Sequence, residues 1–285
     1  MATAVETFQP TRSDATALGV ASPLAKRVEH TLLAALGIQV GFLVPSFAAY
    51  LIDERLLNDI SVWSKPLKFQ SSLSVMIGTL LLLLPVLRIE AITSRLARGA
   101  ALTLPVSATL EIAYLTLQAA RGRASHFNDS TQLEATLYPI MGVGALALVV
   151  CSFIFGWMIW WQSRPEIGVG LRTGAAWGLM MSAVLTLVTA GVLSSGAIDG
   201  PGHWVGGIKT DAGGLFLVGW SRTGGDLRVP HFFATHIMQA LPLLGLALDR
   251  FRPQSARAGA WIGAVLSAAI VAATFVQALS GRPLF

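Results

Sequence analysis

The sequence predicts an all-α fold: a polytopic membrane bundle of seven transmembrane helices, with the N-terminus inside and the C-terminus outside. Three observations carry that expectation. Of 285 residues 54% are hydrophobic. Only 12% are charged, about half the share of an ordinary soluble domain. The apolar residues also gather into long charge-poor runs instead of the two-residue alternation of half-buried strands. A hydrocarbon core ~30 Å thick needs ~20 apolar residues in a helix, and backbone groups in lipid must find their hydrogen bonds within the protein, which favours helices.

Residues 1–28, with Glu6, Arg12 and Asp14 and no continuous apolar core, read as a polar N-terminal tail and not as a signal peptide. Residues 29–285 read as a single membrane domain with spans at 31–52, 69–87, 99–120, 135–163, 173–198, 229–248 and 258–281. No tandem repeat and no second domain stands out. Sorting the connections to alternate sides puts eleven Lys and Arg with the N-terminus and nine on the other side. The short loops holding Arg88, Arg95 and Arg98, and then Arg250, Arg252 and Arg257, set the orientation more firmly, because these residues sit at helix ends. A bacterial-type inner (plasma) membrane fits those arginine-rich loops, and membrane lipids are the expected surroundings.

Several function classes are excluded. The lone Cys151 lies in an apolar run and rules out a disulfide framework or paired-cysteine metal and redox chemistry. The sequence pI of about 9.9 comes from scattered basic residues without a basic block, so nucleic acid is not an expected partner. No lysine follows Lys209, which removes a retinal Schiff base in the last span, and five histidines are too few for the histidine boxes of membrane diiron enzymes.

The sharpest candidate is Glu111. It interrupts the third span, about 15 Å from Arg121 and about 20 Å from Arg98 at 1.5 Å per residue. Carboxylates at that depth face the bundle interior and mark ion, proton or ligand sites. Ser107, Tyr114 and Gln118 stand at i−4, i+3 and i+7, which gives one polar stripe rising toward the outer surface. The structural alternative is a hydrogen-bonding seam between helices.

Four histidines, His126, His203, His231 and His236, fall on the outer side or in the outer half of a span. They are the candidate ligands for a cofactor, haem b or a transition metal, with two of them supplying axial positions if it is haem. His231 and His236 are five apart, ~140° around a regular helix, and cannot both face one metal from it. His236 and Gln239 share a face, and Pro242 is expected to kink the sixth span beside them. Glu111 and His236, at similar depth, form the candidate catalytic pair. Gln39, Gln70 and Gln277 extend the polar interior.

Two further groups complete the reading. Asp53, Glu54 and Asp59 are expected to be solvated, with Trp63 in an aromatic belt and Lys65 and Lys68 snorkelling toward the headgroups. Trp157, Trp160 and Trp161 suit a girdle at the inner surface. The connection at 199–228 is the longest, rich in glycine and carrying Trp204, Phe216 and Trp220, and is expected to pack on the outer surface as a lid.

Three functions follow from these residues. The first is a haem- or metal-binding, redox-active electron-transfer protein with its site in the extracytoplasmic half. The second is a transporter or small-ligand receptor that uses the Glu111 stripe. The third is a non-catalytic subunit or assembly factor bound to other subunits of a membrane complex.

Overall fold

The computed structural model describes residues 22–285. Most of the polar tail, including Glu6, Arg12 and Asp14, lies outside the described residues. Seven long helices carry the fold: α1 Pro23–Ile52, α2 Ser64–Leu83, α3 Arg95–Ala120, α4 Gln132–Gln162, α5 Val169–Ser195, α6 Arg228–Phe251 and α7 Ala256–Leu279. All seven are long and apolar enough to cross a membrane, consistent with an integral multi-pass membrane protein. The outward faces support this. Val44, Leu82, Leu102, Leu110, Ile262 and Val265 are among many exposed large apolar side chains, a surface that water would not tolerate at this extent.

Each helix starts earlier or ends later than its charge-free run because lipid sets the run, while caps set the helix. Proline at the start of α1 lacks the amide hydrogen that a first turn leaves unpaired, so the helix begins at Pro23 and takes in residues 23–28 of the expected tail. Ser94 caps α3 by accepting from the Ala97 amide. Thr131 caps α4 by accepting from the Glu134 amide, and its hydroxyl donates to the Glu134 carboxylate. The first turn of α5 takes an acceptor from another helix: the Asp249 carboxylate of α6 receives the Gly170 and Leu171 amides, each at 2.7 Å.

Chain order is largely kept in space. α1 packs on α2 and α3, α3 on α4, α4 on α5, and α5 on both α6 and α7, while α2 touches α6 to close the ring. The tightest pair is α5 with α6. Gly170, Gly174 and Gly178 recur every four residues along one face of α5, the small-residue spacing that lets helix backbones approach. A Cβ added at Gly178 would lie 3.0 Å from Pro242 Cδ and 3.2 Å from the Ile237 carbonyl oxygen. Pro242, expected to kink the sixth span, lies inside α6 as a contact surface for that glycine.

The bundle has two unlike ends. The arginine end carries the connections at 87–94, 163–168 and 252–255. The loop end carries those at 53–63, 121–131 and 196–227. The main core fills the half nearer the arginine end, with Leu32, Ile77, Leu80, Leu104, Phe155, Met158 and Leu179 at its centre. Polar groups concentrate in the other half.

At the loop end the chain folds into two small antiparallel ribbons, β1 Leu56–Leu57 with β2 Ile60–Ser61 and β3 Trp204–Val205 with β4 Gly225–Asp226. Asn58 and Asp59 turn the first ribbon with positive φ at both positions, as a two-residue hairpin turn requires. The second ribbon closes the 199–228 loop on itself.

Candidate functional site

Glu111 faces the interior and is 6% exposed. Its Oε2 is buried without a hydrogen-bond partner. On its other side the carboxylate rests against α4, where a Cβ built on Gly144 would lie 3.6 Å from Oε1. Removing a carboxylate from water at this depth costs about 3 kcal/mol on insertion scales unless something neutralises it. Ser107 and Gln118 are buried on the same face of α3, and Tyr114 is half-buried there.

The upper end of that stripe is a closed structural cluster. Gln118 donates to Tyr114 Oη at 3.2 Å and to Glu134 Oε1 at 3.1 Å. Glu134, 1% exposed, also takes both oxygens' worth of bonds from Arg123 at 2.8 and 2.9 Å, and others from Ser130 and Thr131. Arg121 lies 3.4 Å from it. Sequence reasoning passed over Glu134, although the Thr131-Gln132-Leu133-Glu134 spacing is a capping-box signature.

Lys65 differs most from expectation. Instead of snorkelling outward from α2, it is half-buried, within electrostatic reach of Asp211, Glu111 and Arg228. Its Nζ stands 6.0 Å from the Phe69 ring centroid. Among the described residues it makes no hydrogen bond or ion pair. Lys68, by contrast, donates to the Val218 carbonyl at 3.0 Å. Trp63 is buried, its indole donating to Asp53 at 2.8 Å, and does not sit in a belt. Asp53, expected to be solvated, is held well below the usual carboxylate range by Arg55 and then Trp63.

The lid is folded and tied down. The Asp211 amide donates to the Asn58 carbonyl at 3.1 Å, and the Thr210 hydroxyl to Asp59 Oδ2 at 2.6 Å, so the loop is pinned to the first ribbon. Beneath it Arg228, at the start of α6, reaches Asp211 at 2.8 Å and Asp226 at 2.7 Å, and donates to the Gly219 carbonyl at 2.6 Å. Trp220 seats the far side against the rings of Phe232 and Phe233.

Each of the four histidines expected as ligands has its own hydrogen-bonding or ring contacts. His126 stacks between Phe69 and Tyr138, with centroid distances of 5.9 and 5.6 Å, and its Nδ1 meets Ser125 Oγ at 3.1 Å. His203 lies in the lid, against Trp204 and 3.1 Å from Asp211. His231 meets Thr189 at 3.3 Å. His236 meets Gln239 Oε1 at 3.1 Å, and Gln239 donates on to Thr79 of α2 at 3.0 Å. Among the described residues no three His, Cys, Asp or Glu side chains gather as metal ligands. The candidate catalytic pair is not joined either, because His236 turns to Gln239 while Glu111 Oε2 has no partner. Chain position gave each histidine's depth and left its direction around the bundle open.

The protonation of the two loop histidines follows from their surroundings. Burial, with the nearby Lys65 charge, pushes His126 down to about 3. Burial also pushes His203 below its ordinary value, only partly opposed by its bond to Asp211. Burial alone would raise Asp211, but His203 and Arg228 hold it below the usual carboxylate range. The contact of His203, Asp211 and Arg228 therefore joins a neutral imidazole, a carboxylate and a guanidinium.

Of the other polar candidates, Gln70 donates to Ser46 at 2.8 Å, joining α2 to α1. Gln39 is fully buried with neither amide atom bonded. Comparison with protein-family models, curated proteins and solved structures finds no match to this chain.

Proposed function

We propose that this chain is a membrane-embedded small-ligand receptor or carrier, which takes a solute between Lys65 and Glu111 beneath the 199–228 lid. The observation that carries the reading is the buried Glu111 Oε2 without a partner, accompanied by a lysine without an ion pair on the facing helix. Buried polar groups are normally satisfied, and an ionisable side chain within a membrane span marks an ion, proton or ligand site. Two opposite charges that do not bond each other suit a solute with both kinds of group: an anionic group for Lys65 and an ammonium or other donor for Glu111. The Phe69, His126 and Tyr138 rings supply an apolar wall next to the lysine.

The four histidines make separate contacts, and no three potential ligands gather among the described residues, which favours the solute reading. The test is a thermal-unfolding screen of the purified protein against small zwitterions, amines and organic anions. At least one zwitterion should stabilise the wild type and fail to stabilise Glu111→Gln. If no solute stabilises the wild type, or the variant responds equally, the proposal is wrong.

A further inference from the structure

The arginine end has a feature of its own. Among the described residues it holds ten basic side chains against four acidic ones, and the only ion pair there is Arg164 with Glu166 at 3.7 Å. Asp249 is consumed by the α5 amides. The loop end differs: nine basic residues face eight acids, and six ion pairs tie them together. The charge left unmatched thus belongs to the arginine end.

At this end a groove of about 220 Å³ opens between α4, α5 and α7, lined by Trp160, Val169, Arg172, Thr173, Arg257 and Trp261. Arg172 is fixed in its wall. Its guanidinium donates to the Trp160 carbonyl at 2.6 and 3.2 Å and lies 5.6 Å from the Trp160 ring centroid. That leaves the Arg172 charge without a carboxylate. Arg257 is exposed and also unpaired among the described residues. Behind them, the Trp177 ring lies between those of Trp160 and Trp261, at 6.0 and 4.7 Å, and its indole N–H is buried without an acceptor.

From this groove we infer a binding site for the headgroup of an anionic phospholipid. Two guanidiniums with no protein counter-charge offer the planar donor sets that phosphate oxygens take. Trp160 and Trp261 stand near the ends of α4 and α7 at this end of the bundle, and tryptophan is enriched where a membrane's polar and apolar layers meet. Basic pockets between spanning helices at an arginine-rich end are the setting in which acidic lipid headgroups are held. The site is independent of the Lys65 and Glu111 reading, since it lies at the opposite end of the bundle.

The test places the full chain in nanodiscs of phosphatidylcholine with graded phosphatidylglycerol, and follows unfolding temperature and lipids retained in native mass spectrometry. Phosphatidylglycerol should stabilise the wild type and leave at least one retained lipid. Arg257→Gln, which alters an exposed side chain with no protein partner, should weaken that retention about tenfold. Arg252→Gln, at the same end and outside the groove, should retain it. Inorganic phosphate added to phosphatidylcholine discs should not replace the lipid; if it does, the site takes free phosphate and the lipid assignment fails. Equal retention by wild type and Arg257→Gln, or equal loss in both variants, overturns the proposal.

Discussion

Arg228 at the head of α6 holds Asp211 of the lid at 2.8 Å, and the same Asp211 oxygen lies 3.1 Å from His203. One carboxylate thus joins the first turn of a spanning helix to the loop that covers it. Replacing it by Asp211→Asn removes the counter-charge while keeping the shape. Arg228 retains Asp226, so the loss should be about 2 kcal/mol of lid docking, within the cost of leaving a buried charged partner under-satisfied. Hydrogen exchange of the lid amides should speed up ~30-fold, and trypsin should cut faster at the exposed Lys209 and Arg222.

Acidification should loosen the same loops. His126 and His203 both have folded pKa values below the ordinary 6.5. The unfolded chain then binds more protons as pH falls through 6.5, so stability is full above that value and declines below it. For His126 the decline continues toward pH 3. Ring-nitrogen NMR of histidine-labelled protein should show His126 still neutral where free imidazole is fully charged. A His126 midpoint near 6.5 would contradict its burial against Phe69 and Tyr138.

The top of the polar stripe should behave as structure. Thr131→Ala removes the α4 cap and should cost about 1 kcal/mol. Glu134→Gln leaves Arg123 without its bidentate partner and should lower the unfolding temperature further. Both variants should keep the solute response of the wild type, because neither residue faces Glu111 Oε2.

Packing of α5 on α6 gives a separate test. Gly178→Leu must displace Pro242 or the Ile237 carbonyl, and overpacking of this kind costs about 1–3 kcal/mol. Gly191→Ala, on the same helix with nothing within 4 Å of the added carbon, should be neutral. Unfolding temperature and the monodisperse fraction after detergent extraction distinguish the two.

The seven spans were legible because lipid demands long apolar runs, and each helix in the structure contains its predicted run except at one or two turns. Boundaries moved outward at Pro23 and Arg95, where charged first turns project beyond the apolar core. Glu111 was legible from its depth. Lys65 was not, since the same four-carbon stem can reach headgroups or the interior, and the 199–228 lid with Arg228 and Asp211 decides which. The histidines show the same limit, since chain position gives depth without azimuth. Two signals were present and unread: the Gly170, Gly174, Gly178 spacing that fixes the tightest helix pair, and the Thr131 to Glu134 box.

In the proposed site Lys65 and Glu111 hold the two ends of one solute. The most direct test is the binding isotherm of the most stabilising zwitterion with wild type, Lys65→Met, Glu111→Gln and the loop-end control Glu54→Gln. Loss of either charge contact should weaken binding at least ~10-fold, the equivalent of about 1.4 kcal/mol, while Glu54→Gln should bind as the wild type does. Wild-type affinity in either Lys65→Met or Glu111→Gln would show that the solute is not held at both ends.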